Sequence, residues 1–366
     1  LKRFSNFLMG CAKGHGVIEA LLSNPSLATE YSDEQWDQAI RLGRSANLLA
    51  RLCQLLADKD LLKEVPQKAY HHLVSASLQA QKQRTQVQWE VKLLAKELHN
   101  IGVQPILLKG GAYIYANKPA GQGRTLTDID VLVRKEELLK VERQLKTVGW
   151  YSEKSDDYDQ HYYREWTHEI PPLIHYKRQT VLDIHHNIFP VLRFRVDIER
   201  LIDQVCFDAD GVGTLHLYDM IIHSATHLFF EGEFENGLRD LSDMDLLFRE
   251  LHPDDWQKLK HRAQELQLAR PLFYALRYCR HCLSSPIPDD IWAASDTGAP
   301  NALQLRVADI LFTRVLIPHH SLVKKPGHRL AKYMLYWRGH LLKMPLTVLG
   351  PHLLRKLMRS ISVGRD

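Results

Sequence analysis

Asp128 and Asp130 are separated by one apolar residue inside the run "TDIDVLV", and a third aspartate, Asp183, follows in "VLDIHH". On an extended chain alternate residues face the same side, so the pair presents its carboxylates together, with Ile129 and Val131 behind. Two carboxylates held that close repel one another and favour a shared proton unless a divalent cation lies between them. Hard cations such as Mg²⁺ take oxygen ligands and keep positions open for phosphate oxygens. With Asp183 on an adjacent strand the set would serve two ions. One would lower the pKa of an attacking group, and the other would hold a triphosphate and its departing pyrophosphate. The expected metal ligands and catalytic acids are therefore Asp128, Asp130 and Asp183, with Mg²⁺ as the ion and Mn²⁺ as its substitute.

Upstream, "VQPILLKGG" reads as a short apolar strand that ends in Lys109, Gly110 and Gly111. Glycines after a strand let backbone N–H groups approach phosphate oxygens, and a helix starting there turns its positive end toward them. Lys109 adds a point charge, and Arg124 offers a bidentate contact. These four are the expected nucleotide-binding residues. The pattern is neither a P-loop, since GxxxxGK[ST] is absent, nor a dinucleotide fingerprint, since no GxGxxG follows a strand.

The elements that must position these groups divide into three stretches. Residues 1–97 read as helices: "SDEQWDQAIRLGRSANLLARL" has an N-cap at Ser32, and Pro66 opens a long, Gln-rich helix or helix pair that Asn100 and Gly102 stop. Residues 98–195 carry the acid-bearing strands. Here "KEELLKVERQLKTVGW" forms an amphipathic helix, and "PPLIHYKRQTVLDIHH" forms two strands around a polar turn at Lys177 to Gln179. Residues 196–366 return to helical periodicity. The fold class expected is α+β, a small mixed-sheet core flanked by helical regions.

With 366 residues, 45% hydrophobic and 25% charged, the chain is an ordinary globular protein large enough for two or three units. No apolar run is long enough to span a bilayer, and the first residues lack the marks of a signal peptide, which makes a cytoplasmic location the expectation. Five scattered cysteines do not describe a disulfide framework; "CRHC" at Cys279–Cys282 lacks a second ligand pair and reads as two helical neighbours. His223, His227 and Glu231 share one helix face at zinc-like spacing, yet Ser224 replaces the glutamate of HExxH, so buried histidines facing the core are expected. His185 shares a strand face with Asp183 and suits either packing or orientation of a carboxylate. The six acids of "EGEFENGLRDLSDMD" read as a loop and a solvated helix face. Net charge is +5, but residues 311–366 hold eleven Lys or Arg against one acid. Tyr333, Tyr336 and Trp337 interleave with Lys332, Arg338 and Lys343 there, a pattern that suits a packed helix, an anionic membrane surface or RNA.

The order LKGGA, Arg, TDIDVLV, then LDIHH resembles the polymerase-β-like nucleotidyltransferase superfamily, and more narrowly the bacterial "uncharacterised nucleotidyltransferase" family. The resemblance covers residues 107–133 and 181–186. It implies that Gly110, Gly111, Asp128, Asp130 and Asp183 hold the motif positions. It also implies a mixed sheet backed by helices, Mg²⁺ dependence, and transfer of a nucleoside monophosphate from an NTP, ATP by default, to an unidentified hydroxyl. The stretch from Gly111 to Asp128 is longer than the family pattern, which places an insertion at "NKPAGQG", beside the nucleotide. Two other readings stand beside this one: a degenerate nucleotide-binding scaffold, membrane-peripheral through its basic tail, and a metal-dependent hydrolase using the same acids.

Overall fold

The computed structural model describes residues 16–152, 167–190, 196–293 and 298–343. Its N-terminal part is helical, as the periodicity predicts. Ser32 and Gln35 form a capping box that starts α2 (Asp33–Ser45), which follows α1 (Val17–Ser23). The apolar pattern continues through α3 (Leu49–Ala57), but Asn47 at φ +55° ends one helix and redirects the chain into the next. The Gln-rich segment is one helix, α4 (Gln67–His99), stopped at Asn100 and at Gly102 with φ +69°.

One mixed sheet of seven short strands runs in the order β3-β4-β5-β2-β1-β7-β6. Its strands are β1 (Ile106–Leu107), β2 (Ile129–Leu132), β3 (Trp150–Tyr151), β4 (Leu173–His175), β5 (Val181–His185), β6 (Cys206–Phe207) and β7 (Gly213–Thr214). Strand β2 sits between β1, antiparallel to it, and β5, parallel to it. The polar turn between β4 and β5 contains Gln179 at φ +57° and is an antiparallel hairpin pairing Ile174 with Val181. Two strands lie past residue 195, because β7 pairs in parallel with β1 and carries β6 into the same sheet. The sheet therefore extends into the stretch that the helical periodicity assigns to the C-terminal region.

Helix α4 is the spine on which the acid-bearing hairpin is set. Glu90, 2% exposed, takes Arg178 through both guanidinium nitrogens at 2.6–3.0 Å and Thr180 at 3.2 Å. The Arg178 guanidinium also lies over the Trp89 and Trp150 rings. Gln83 of the same helix exchanges two hydrogen bonds with the backbone of Leu126, just before the acidic pair. Between strands run α5 (Lys109–Tyr115) and α6 (Leu138–Thr147).

After α7 (Ile198–Ile202), the C-terminal helices wrap one side of the core: α8 (Leu217–Glu231), α9 (Gly237–Phe248), α10 (Asp255–Glu265), α11 (Ala269–Leu283), α12 (Asp289–Ala293), α13 (Ala302–Val315) and α14 (His328–Lys343). One feature departs from the sequence expectation, and two more concern stretches that it singled out. The acid run is not a solvated face: Glu231, Asp243 and Asp245 are buried, Asp243 against Arg51 from a distant helix, Asp245 against Arg249 and Glu231 against His227, each one turn away. The basic helix α14 spends Arg338 internally. Its guanidinium donates to the Phe229 carbonyl at 2.6 Å and lies over the Phe230, Tyr274 and Phe312 rings. Residues 344–366, the rest of the basic tail, lie outside the described residues. Finally, "NKPAGQG" is packed rather than looped out. A Cβ at Gly121 would stand 2.4 Å from the Tyr113 carbonyl oxygen, and Gly123, at φ +64°, would meet the Arg51 backbone at 2.5 Å. Cys279 and Cys282 are free thiols on α11, and burial pushes the Cys282 thiol up to about 12. Among the described residues no helix is long and apolar enough to cross a membrane.

Candidate active site

Parallel pairing of β2 with β5 puts Asp130 and Asp183 in direct register. Register partners on neighbouring strands share a face and lie about 4.8 Å apart, so the third acid stands beside the second. Asp128 immediately precedes β2, where Thr127 donates to its Oδ1 at 3.0 Å. The register thus sets Asp130 beside Asp183, with Asp128 just outside the paired residues at the entry of β2.

Lys109 opens α5 at φ +47°, a left-handed conformation that costs a β-carbon-bearing residue about 1 kcal/mol or more. From there its Nζ donates to Asp130 Oδ1 at 2.9 Å, and His185 Nε2 reaches the same oxygen at 2.9 Å. Both bonds fall on Oδ1, leaving Oδ2 without a hydrogen-bond partner among the described residues. Burial alone would raise the pKa of Asp130, but Lys109 and His185 outweigh it and hold the carboxyl well below the usual range. Asp183 is the opposite case. Burial, then the charges of Glu169, Asp130 and Asp128, push it up to about 7, and its Oδ1 is buried without a partner. An orphaned carboxylate oxygen beside two more carboxylates is a donor set that fits a hard divalent cation.

Asp128 and Asp130 open into a cleft of about 210 Å³ between the sheet and helices α8 and α9; Asp183 does not line it. Lys109, Gly110, Asp128, Asp130 and Arg124 line it from the core side; His227, Arg239 and Asp240 line it from the helices. Gly111 lies beneath, where an added Cβ would meet Ile129 at 3.8 Å. Gly110 leaves no such room, since its Cβ would run into the Leu126 side chain at 2.3 Å. Arg124 lines the cleft but is also anchored: its Nε lies 2.8 Å from Asp243 and its Nη2 3.8 Å from Asp240. Asp243 is held in turn by Arg51 of α3 at 2.6 Å. Arg239 pairs with its neighbour Asp240 at 3.2 Å.

Of the helical row singled out by spacing, His227 reaches the cleft and Glu231 Oε2 at 3.2 Å, while His223 is buried and lines no part of it. Glu231 also takes His168 at 3.4 Å, and His168 Nδ1 is buried without a partner. Burial lowers both His168 and His227, keeping the imidazoles neutral at physiological pH. His168 and Glu169 are the residues that sequence reasoning missed. Backbone bonds from Ile170 to Ile184 and from His186 to His168 lay their segment along the end of β5, placing Glu169 opposite His185. The polar pair "HE" ahead of "IPPLIH" was the available signal, but it breaks strand alternation and carries no motif spacing.

Residues 32–284 match the model of the "uncharacterised nucleotidyltransferase" family. No curated protein matches the chain. The match spans most of the chain, including every acid of the site and helices α8 and α9 across the cleft, and the chain belongs to that family.

Proposed function

We propose, from membership of a nucleotidyltransferase family, that this chain transfers a nucleoside monophosphate from an NTP to a hydroxyl-bearing acceptor in a Mg²⁺-dependent reaction. The observation that carries the reading is the in-register pair Asp130 and Asp183, with Asp128 at the strand's entry and two carboxylate oxygens left unclaimed. Asp128, Asp130 and Asp183 would hold the metal, which would neutralise charge on the triphosphate and on the pyrophosphate that leaves.

The chain's own residues have separable tasks. Lys109 keeps Asp130 ionised and stands at the cleft as a cation for a phosphate oxygen. Gly110 keeps the first turn of α5 against Leu126 and Arg124, and Gly111 lets that turn lie on Ile129. Arg124, fixed in position by Asp243, presents its remaining N–H groups to the phosphates. Asp183 would share the metal or take the proton of the acceptor hydroxyl. The acceptor oxygen forms its bond to the α-phosphorus as the bond to the bridging oxygen breaks, and the electron pair leaves with pyrophosphate. ATP is the default donor.

A thermal-shift panel of the four NTPs, each with and without Mg²⁺, tests the reading on wild type and on Asp130→Asn. A Mg²⁺-dependent rise with an NTP, lost in the variant, supports a working site and names the donor. No shift in a folded protein would sink the enzymatic reading in favour of a scaffold. Pyrophosphate release with a labelled acceptor separates transfer from hydrolysis.

A further inference from the structure

A second group of ligands stands behind the carboxylates, and it is of a different chemical kind. His168, Glu169 and His185 each offer a ligand atom, all within 4.8 Å of one another. The two imidazole rings lie 5.2 Å apart, and both residues are buried. Each ring has one nitrogen turned toward a carboxylate: His185 Nε2 lies 2.9 Å from Asp130, and His168 Nε2 lies 3.4 Å from Glu231. The other nitrogen of each ring, Nδ1, is buried and has no hydrogen-bond partner among the described residues. Buried imidazole nitrogens are rarely left unpaired, because an unmet donor or acceptor there keeps its full desolvation penalty. Metal-binding histidines characteristically give one nitrogen to a carboxylate, which fixes the ring, and the other to the ion. His168 fits that pattern, with Nε2 toward Glu231, while His185 turns Nε2 both toward Asp130 and, at 3.7 Å, toward Glu169.

We propose that His168, Glu169 and His185 form a site for a divalent transition cation of the Zn²⁺ class, distinct from the carboxylate site for Mg²⁺. Two imidazoles and one carboxylate are donors that transition ions favour and Mg²⁺ does not. Three protein ligands leave a position for water or a substrate oxygen. Glu231 lies beside His168 and Asp130 beside His185, so a carboxylate that lines the cleft also borders this second group. The site does not depend on nucleotidyl transfer. It stands or falls by binding alone.

The test uses Co²⁺ as the probe, added to the full chain stripped of metal and held in excess Mg²⁺. The expected result is one equivalent of Co²⁺ with a visible spectrum typical of nitrogen and oxygen ligands, retained against Mg²⁺. His168→Ala and Glu169→Gln should weaken it by about 100-fold or more, and Glu231→Gln, which removes only an orienting group, by about 10- to 100-fold. Asp128→Asn should leave it unchanged. The proposal is overturned if wild type holds no Co²⁺ against Mg²⁺. It is equally overturned if binding is lost in Asp128→Asn but kept in His168→Ala, which would assign the ion to the carboxylates. Should His168→Ala fail to fold by circular dichroism, Glu169→Gln decides, since that side chain is 26% exposed and its replacement is isosteric.

Discussion

Two charged clusters border the cleft. In one, Arg51, Arg124 and Arg239 meet Asp240 and Asp243, each ion within 3.8 Å of an opposite charge. In the other, Asp128, Asp130, Asp183 and Glu169 gather around Lys109 and His185, and Asp183 keeps a buried oxygen with nothing to bond. In the first every carboxylate is compensated by the protein itself, three guanidiniums against two carboxylates, and the cluster ties α3, the packed insertion and α9 together. The second has more anions than the chain compensates. An excess that folding does not need is a sign of something the site receives.

Substitutions should separate the clusters, and the largest effect belongs to the uncompensated one. Asp183→Asn is expected to lower pyrophosphate release by about 1,000-fold or more without lowering the melting temperature of the metal-free protein. A variant that melts earlier and keeps activity would reverse the assignment. Arg51→Met should do the converse. Stripping a buried partner from Asp243 costs about 3–5 kcal/mol, read by denaturant unfolding, and turnover per folded molecule should be retained.

The pH dependence sharpens the contrast further. Asp183 has a folded pKa of about 7 against 3.8 for the ordinary group, so the folded state holds its proton longer than the unfolded chain does. As pH rises from about 4 to about 7, this group therefore reduces stability. The buried neutral histidines act in the opposite direction, so the quantity to measure is the difference between wild type and Asp183→Asn. That difference should move in favour of the variant as pH rises, and saturating Mg²⁺ should cancel the movement. A flat difference would mean that Asp183 is not the strained acid described here.

The smallest effect concerns Arg239, which borders the cleft and, among the described residues, pairs with the adjacent Asp240 alone. Losing one charge-assisted phosphate contact costs about 1.5–3 kcal/mol. Arg239→Ala is thus expected to raise KM for the NTP about 10- to 100-fold with little change in unfolding. Unchanged KM together with lowered stability would place Arg239 in the compensated cluster.

What the sequence discloses is what lies close along it. The alternation of "DIDVLV" and the hairpin ahead of Asp183 announce strands whose pairing brings three acids together, and "KGG" marks the turn beside them. The compensated cluster is silent in sequence, because Arg51 and Asp243 belong to different helices and nothing in either helix names the other. That silence made the acid run read as solvated. Arg338 is silent in the same way: a basic residue among aromatics suits a packed helix and an anionic surface alike, and only the structure shows Phe230, Tyr274 and Phe312 around it. His168 and Glu169 were hidden for another reason, since an irregular segment pinned by backbone bonds has no period to detect.

Helix α14 closes against the end of α8 with no space between them. A Cβ at Gly339 would stand 2.5 Å from the carbonyl oxygen of Glu231, the residue that holds both His168 and His227. This contact gives the protein a timetable. The last of the three aspartates, Asp183, is synthesised about 145 residues before α14 begins at His328, an interval of roughly 7 to 29 s at ribosomal speeds of about 5–20 residues per second. Throughout that interval the nascent chain carries all three aspartates while the wall containing Glu231 lacks its outer support. A message cut short before His328 is therefore expected to yield a product with every acid of the motif and an unbraced histidine pair, and ribosome-arrested chains of graded length, probed by protease, would show when the brace arrives.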